Sequence, residues 1–231
     1  MKSAESNRDL KKRVGYAAAE RVEDGMTIGI GTGSTVAFFV ESLGARVREG
    51  LTIRACATSY QSTLYCEEAG IPLFPLRKLD HLDLAVDGAD AIDPDLNAIK
   101  GGGAAQTVEK VVAAMAERYI LIADADKLCE YLGQTFPIPV EIIPDSLAYV
   151  SSRIRKLSGD PVLRMARYKD GPVVTDNGQF ILDIHLSGKK DIFAYDAALH
   201  HIPGVIETGL FLNMATEVLI GRDDRVDTMT K

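Results

Sequence analysis

The chain has 231 residues, 46% of them hydrophobic, which is enough for one large domain or for one medium and one small domain. Its 26 lysines and arginines stand against 33 aspartates and glutamates, and the formal charge of −7, with no long basic run, argues against nucleic acid as the main partner. No stretch approaches the roughly 18 apolar residues that cross a bilayer, and the polar N-terminal segment lacks the apolar core of a secretion signal, so we expect a cytoplasmic protein with no membrane partner.

Helix and strand patterns alternate over the first half of the chain. Apolar residues recur at helical spacing in residues 9–22, and Gly70 and Pro72 end a helix predicted over residues 60–69. Because strands alternating with helices favour a mostly parallel sheet covered on both faces, the sequence predicts an α/β domain. The predicted strands are residues 26–30, 52–55, 82–86 and 119–123, and the other predicted helices are residues 36–43 and the segment that follows the glycine-rich loop at 100–105.

The order of elements changes after about residue 130. There the patterns predict strand, helix, strand, strand and helix, an order that fits a small ferredoxin-like α+β layer. The last segment, residues 209–221, returns to short apolar strands that could rejoin the first sheet. We therefore predict a discontinuous large domain, residues 1–130 and 205–231, and a smaller domain, residues 131–204. The elements of the smaller domain are predicted at residues 138–143, 147–157, 162–168, 179–186 and 192–201.

The GIGTGST turn, residues 29–35, lies between a predicted strand and a predicted helix. Such a turn directs backbone N–H groups and a helix dipole at one point, which suits an anion, and Ser34 and Thr35 add hydroxyl donors. The turn lacks the lysine of the GxxxxGK[ST] nucleotide loop and the third glycine of GxGxxG. On its own it is equally consistent with a tight turn whose helix is capped by Ser34.

The DGAD segment, residues 87–90, directly follows an apolar strand. The carboxyl edge of a parallel sheet is where such folds bind ligands, so its two carboxylates can orient sugar hydroxyls or hold a cation there. The alternative is ordinary turn chemistry, which residues 93–97 fit well. Asp87 and Asp90 fit it less well, because an acidic pair that abuts a buried strand is costly without a purpose.

The segment Lys100-Gly101-Gly102-Gly103 precedes another predicted helix, and Glu109 lies near the first turns of that helix. Three glycines allow unusual backbone angles and the close approach of a ligand, and Lys100 places a cation at that approach. A carboxylate in a partly closed pocket can act as a general base near neutral pH. The alternative is that Glu109 is an ordinary favourable acidic residue near a helix N-terminus.

A fourth polar strand end, residues 124–127, adds Lys127, which taken alone is better explained as a surface lysine after a turn. The four strand ends together supply anion donors, two carboxylates, two lysines and a candidate base. No Ser-His-Asp or Cys-His arrangement is apparent, and the three cysteines and four histidines show no spacing that suggests a zinc site. The order of the segments, rather than any one of them, therefore predicts a functional site.

These segments, in this order, resemble ribose-5-phosphate isomerase of the A type. The resemblance implies a reversible aldose–ketose isomerisation of D-ribose 5-phosphate and D-ribulose 5-phosphate, in the non-oxidative pentose phosphate pathway, with no metal or organic cofactor. It also implies a Rossmann-like domain with a ferredoxin-like domain, assembled as a homodimer or homotetramer. The motifs that carry it are GTGST (31–35), DGAD (87–90), KGGGAA (100–105) with Glu109, DADK (124–127), DLKKRVGYAA (9–18), VTDNG (174–178) and PGVIETGLF (203–211).

The resemblance also implies roles for single residues. Glu109 falls at the proton-acceptor position, and we expect Lys100 near the developing oxyanion of a cis-enediol intermediate, with Asp87 and Asp90 holding hydroxyls. Ala91 and Asp126 depart from the pattern of many relatives, which have an acidic residue and a small hydroxyl residue there. The implied substrate-binding residues are Lys11, Thr32, Gly33, Ser34, Thr35, Asp87, Gly88, Ala89, Asp90, Lys100, Gly101, Gly102, Gly103 and Lys127.

Two other functions would use the same segments. A related sugar-phosphate hydrolase or amino-sugar isomerase is distinguished by hydrolysis of a sugar lactone or by release of ammonia. A sugar-phosphate sensor without catalysis is the alternative from a different class. The retained Glu109 and Lys100, and the lack of an evident additional DNA-binding module, count against the sensor.

Overall fold

A computed structural model gives the structure of residues 4–231, with side chains described from residue 8 onward. None of the helices in that part of the chain combines the length and the apolar character needed to cross a bilayer. The chain forms two compact units. The first comprises the residues up to Ala89 together with Val108–Leu128 and Asn213–Lys231, and the second comprises Asp90–Thr107 and Cys129–Leu212.

The helices and strands alternate through most of the chain. The helices are α1 (Ala4–Ala19), α2 (Ser34–Arg48), α3 (Tyr60–Ala69), α4 (Gln106–Met115), α5 (Leu147–Lys156) and α6 (Ile192–His200). The strands are β1 (Thr27–Ile30), β2 (Arg54–Ala57), β3 (Leu82–Gly88), β4 (Ala91–Ile92), β5 (Ala98–Ile99), β6 (Ala116–Asp124), β7 (Ile138–Ile142), β8 (Gly159–Leu163), β9 (Phe180–Leu186), β10 (Val205–Thr208), β11 (Leu210–Phe211), β12 (Glu217–Gly221) and β13 (Val226–Thr230).

The first unit is built on a six-stranded sheet in the order β13-β12-β6-β3-β1-β2. Its strands pair in parallel except for β13, which is antiparallel to β12. All four residues of β1 are buried, as expected for a parallel strand covered on both faces. Val14 of α1, Phe39 of α2 and Ile28 of β1 belong to one buried apolar cluster. The helical face predicted in residues 9–22 therefore packs on the sheet, and the predicted α/β class is confirmed.

The second unit contains a four-stranded antiparallel sheet in the order β10-β7-β9-β8. The chain order β7, α5, β8, β9, α6, β10 with this arrangement is the split βαβ, ferredoxin-like pattern that the sequence predicts. A smaller sheet in the order β11-β5-β4 completes the unit. Its core includes Val140 of β7, Val150 of α5 and Leu199 of α6.

One strand lies away from its predicted place. The sequence predicts a strand over residues 162–168, whereas β8 ends at Leu163 and begins at Gly159. Pro161 argues against a strand because it lacks an N–H donor, but β8 is at the edge of its sheet, where proline is tolerated. Of residues 164–168, only Met165 takes part in β pairing, in an isolated bridge with Pro172.

The compact units also differ from the predicted domain limits. Residues 90–107, 129–130 and 205–212 were assigned by sequence to the large domain, whereas they belong to the second unit. The reason is pairing: β10 joins β7, and β11 joins β5, while only the following strands β12 and β13 enter the six-stranded sheet. Strands of two residues, such as β5 and β11, are too short to show periodicity in a sequence.

Candidate active site

The turn after β1 brings the chain against Asp87 at the end of β3. A Cβ atom on Gly31 would lie 2.0 Å from the carboxyl carbon of Asp87, so no larger residue fits there. The buried Asp87 carboxylate accepts hydrogen bonds from the N–H groups of Thr32 at 3.1 Å and Gly88 at 2.7 Å. This carboxylate is therefore held in place by backbone donors of its own unit.

Helix α2 begins directly after that turn. Its N-cap residue is Gly33, with φ 114° and ψ 176° and no side-chain capping bond, so the alternative in which Ser34 caps the helix is wrong. Ser34 is instead exposed, and its hydroxyl accepts a hydrogen bond from the ammonium of Lys11 at 3.0 Å. A lysine, a hydroxyl and the positive end of a helix dipole are thus brought together, which suits an anionic group.

Residues that follow β2 contact the same turn, and the sequence motifs did not point to them. The hydroxyl of Thr32 lies 2.9 Å from the Thr58 hydroxyl and donates to the Ser59 hydroxyl at 2.7 Å. The Gly33 N–H donates to Oε1 of Gln61 at 3.0 Å. The available signal was a polar run after an apolar strand, because β2 is parallel to β1 and ends at the same sheet edge.

Glu109 is buried in α4, with 4% of its surface exposed. Glu109 and Asp87 both influence the pKa of Tyr119 in β6. Burial raises the pKa of Tyr119 well above its usual value, and the negative charges of Asp87 and Glu109 raise it further. Asp87 and Glu109 therefore lie within electrostatic range of one phenol, which stays protonated near neutral pH. The sequence patterns predict Tyr119 only as a strand residue, because nothing local marks which strand residues come near the carboxylates of other elements.

The predicted residues of the second unit are Asp90 and the glycine-rich loop with Lys100. The Gly102 N–H donates to Oδ2 of Asp90 at 2.8 Å, and the Lys100 N–H donates to the Gly209 carbonyl at 2.8 Å. Lys100 is 3% exposed, and its ammonium lies 5.3 Å from the centre of the Phe211 ring. A lysine held this way is an ordered cation rather than a mobile surface charge.

Other predicted residues are less closely connected. Lys127 is half-buried and ends a 3-10 turn after β6, in which Asp124 accepts a hydrogen bond from the Asp126 N–H at 3.1 Å. Within residues 8–231, no hydrogen bond or ion pair of Lys127 joins it to the other predicted residues. Residues 93–97 follow the predicted turn chemistry, because the Asp93 carboxylate accepts bonds from the N–H groups of Asp95 and Asn97.

The VTDNG segment, residues 174–178, is hydrogen-bonded to a buried carboxylate. Its Thr175 hydroxyl donates to the buried carboxylate of Glu141 at 2.6 Å, and its Asn177 amide donates to the same carboxylate at 3.3 Å. The hydroxyl of Thr107, in the first turn of α4, also donates to Glu141. This segment thus closes a buried polar network inside the second unit.

Comparison with known proteins gives concordant matches. A family model described as ribose 5-phosphate isomerase A (phosphoriboisomerase A) matches residues 54–225. The chain is 46% identical over 221 residues to ribose-5-phosphate isomerase A of Thermosynechococcus vestitus, covering 95% of this chain and 94% of the relative. It is 49% identical over 215 residues to ribose-5-phosphate isomerase A of Methanosarcina acetivorans, covering 93% and 91%.

Solved structures agree with the sequence matches. Ribose 5-phosphate isomerase A from Methanocaldococcus jannaschii superposes with a TM-score of 0.93 at 40% identity, covering 97% of this chain and all of that one. A D-ribose-5-phosphate isomerase in complex with phospho-erythronic acid gives the same score and identity, covering 96% and 98%. The resemblance inferred from the motifs is confirmed, and the chain belongs to the ribose-5-phosphate isomerase A family.

Proposed function

We propose that this protein interconverts D-ribose 5-phosphate and D-ribulose 5-phosphate through a cis-enediol, as an aldose–ketose isomerase of the non-oxidative pentose phosphate pathway. The observation that carries the proposal is the buried Glu109 of α4, placed after the KGGG loop in a member of this family. A relative solved with phospho-erythronic acid, a phosphorylated sugar acid, supports a phosphosugar as the substrate class.

Glu109 is the proposed base. Its carboxylate takes the proton from C2 of the open-chain aldose, the C–H electrons form the C1–C2 double bond, and the carbonyl oxygen at C1 gains the negative charge. Protonation of that oxygen gives the enediol. The C2 hydroxyl then loses its proton, which offsets the proton gained by the C1 oxygen, and Glu109 returns the abstracted proton to C1. The ketose forms, and Glu109 ends as it began. A positioned base typically contributes about 10²–10⁴-fold in rate.

Lys100 and the two aspartates are proposed to act on the oxygens of the sugar. The Lys100 ammonium stabilises the oxyanion of the enediolate, because charge placed where the transition state develops it lowers the barrier. Asp87 and Asp90 hold sugar hydroxyls and assist opening of the furanose ring. The bonds from Thr32, Gly88 and Gly102 to these aspartates keep their carboxylates in fixed positions.

The turn at residues 32–35 is the proposed phosphate site, with Lys11 and Lys127 as the cations that accompany it. The 3.0 Å bond between the Lys11 ammonium and the Ser34 hydroxyl supports Lys11 in this role. The exposed start of α2 adds backbone donors. Gly88, Ala89 and the loop glycines Gly101–Gly103 are the remaining proposed substrate contacts.

Ser34→Ala tests the phosphate site. We expect KM for ribose 5-phosphate to rise about 10-fold or more, because a hydrogen bond to a charged group contributes roughly 1.5–3 kcal/mol, whereas kcat should change less. Steady-state kinetics in both directions measure the two constants. Ser152→Ala, at an exposed serine of α5, is the matched control and should behave as the parent. An unchanged KM in Ser34→Ala would mean that the phosphate binds to another part of the chain.

Isomerisation of ribose 5-phosphate by the purified full chain in a metal chelator tests the function itself. We expect ribulose 5-phosphate to appear at a rate proportional to enzyme, with activity that survives the chelator. Absence of conversion would overturn the proposal. Lactone hydrolysis and ammonia release from amino-sugar phosphates would then be measured, followed by sugar-phosphate binding without turnover, the behaviour of a sensor.

The assembly and the compartment are further parts of the proposal. We propose a homodimer or homotetramer in the cytoplasm that contacts a small phosphorylated sugar and neither nucleic acid nor membrane. The acidic net charge of −7 is consistent with a protein that does not bind nucleic acid. Light scattering after size exclusion would give the subunit number, and a monomer mass would contradict it.

A further inference from the structure

A guanidinium outside the predicted site reaches the glycine-rich loop. Arg164 follows the last residue of β8, and its backbone N–H donates to the Ile181 carbonyl of β9 at 2.9 Å. Its Nη1 atom donates to the carbonyl of Gly101 at 2.7 Å and to the carbonyl of Gly102 at 3.2 Å. One side chain from the edge of the four-stranded sheet therefore binds two consecutive carbonyls of the loop.

Asp183 of β9 fixes the direction of that side chain. Nε of Arg164 donates to Oδ2 of Asp183 at 2.8 Å, and Nη2 donates to Oδ1, so the pair is bidentate. The side chains of Arg164 and Asp183 are only 15% and 17% exposed. A planar fork held by a carboxylate on one side has its remaining donors aimed in a set direction, which a lysine cannot reproduce.

The bonds to Arg164 have a consequence for the N–H groups of the loop. The Gly101–Gly102 peptide is held on both sides, with its carbonyl on Arg164 and its N–H on Asp90. The Gly102–Gly103 peptide has its carbonyl on Arg164, and because a trans peptide is planar, the Gly103 N–H points the opposite way. Gly103 is exposed, and within residues 4–231 its N–H makes no hydrogen bond. An oriented backbone donor is thus presented three residues after Lys100.

We propose that Arg164, oriented by Asp183, is a positioning residue for the isomerisation: it sets the loop so that the Gly103 N–H and the Lys100 ammonium meet the anionic enediolate end of the substrate. The proposal rests on the proposed function. Hydrogen bonding of a cation to the loop carbonyls also polarises the peptides and strengthens their N–H groups as donors. Arg164 acts through the loop and does not itself touch the substrate.

Arg164→Gln tests this in the full-length protein. Glutamine can reach one carbonyl but loses the fork and the charge, so the loop is no longer fixed at both carbonyls. We expect kcat for ribose 5-phosphate to fall about 10–100-fold with a smaller change in KM, because misplacement of the order of 1 Å can cost about 10²-fold. The affinity for phospho-erythronic acid, whose planar carboxylate resembles the enediolate in shape and charge, should fall in parallel with kcat.

Four further variants separate positioning from general destabilisation. Arg167→Gln removes an exposed arginine three residues on and should match the parent in kcat and in thermal midpoint. Asp183→Asn should lower kcat in the same direction, and the double variant with Arg164→Gln should lose less than the product of the two single losses, since both act through one contact. Arg164→Lys retains the charge and replaces Arg164→Gln as the test if the glutamine variant does not fold. This lysine variant should also have a lower kcat than the parent.

The outcomes distinguish this inference from the function on which it rests. If the parent is active, a reduced kcat and a parallel loss of affinity for phospho-erythronic acid in folded Arg164 variants support the positioning role. If the parent is active and a folded Arg164→Gln or Arg164→Lys protein has the kcat of the parent, the positioning role is overturned and the proposed function stays in place. A lower thermal midpoint with unchanged kcat also overturns it, because the pair would then be structural only. A parent without isomerase activity contradicts the proposed function instead.

Discussion

Glu109→Gln is expected to lower kcat for ribose 5-phosphate by about 10²–10⁴-fold, the contribution of a positioned general base. Glutamine keeps the shape of the side chain in α4 but cannot accept the C2 proton. Because Glu109 is 4% exposed, the isosteric change should leave packing and the thermal midpoint close to those of the parent. Initial rates in both directions, with exchange of the C2 proton into solvent, measure the effect on the proton-transfer step.

Glu117→Gln is the matched control for this variant. Glu117 lies near the start of β6 and is exposed, so neutralising it changes the net charge equally without altering the buried carboxylates. Its kcat should equal that of the parent. Near-normal turnover in a folded Glu109→Gln protein would remove Glu109 from the role of base and leave Asp87, which also acts on Tyr119, as the next carboxylate to test.

Lys100→Met is expected to have the second-largest effect. Loss of one donor at a developing oxyanion typically costs about 3–4 kcal/mol, which corresponds to a fall in kcat of about 10²–10³-fold. Methionine approximates the length of lysine and can keep a contact with the Phe211 ring. Since the backbone of Lys100 is bound to Gly209, the loop should keep its place. Steady-state kinetics should therefore show the loss in kcat rather than in KM.

Lys189→Met removes an exposed lysine of the second unit and provides the control for the change in charge. Parent-like constants are expected for it. A Lys100→Met protein with normal kcat and a raised KM would make Lys100 a residue that binds substrate and transition state alike. The oxyanion would then depend on backbone donors of the loop alone.

Local signals predicted much of the fold correctly. The helix over residues 60–69 has the predicted limits, because Ser59 and Ser62 form a capping box at its start and Gly70 adopts a left-handed conformation at its end. The β-α-β-β-α order after residue 130 is confirmed by the sheet order β10-β7-β9-β8. The prediction for β8 was displaced because Pro161 is unfavourable in a strand unless that strand lies at an edge, and the edge position follows only from the assembled sheet.

Less of the candidate site than of the fold could be predicted from the sequence. GTGST, DGAD and KGGG were found because glycines and carboxylates at strand ends are unusual enough to stand out in a sequence. Thr58, Ser59 and Arg164 were missed because polar residues after a strand are common. Their contacts with the turn and the loop depend on partners at least 26 residues away in the chain.

The sequence alone determined the α/β class, the ferredoxin-like order, the motifs and the family, because these follow from periodicity, turn chemistry and the order of short segments. The tertiary structure decided which groups hold those motifs: the Lys11 ammonium on Ser34, the backbone N–H groups of Thr32 and Gly88 on Asp87, and the Arg164 guanidinium, paired with Asp183, on the glycine-rich loop. The physical reason is range. Periodicity and capping act within a few residues, whereas a hydrogen bond between distant segments depends on strand order and register, which are fixed only when the buried faces of all strands pack together.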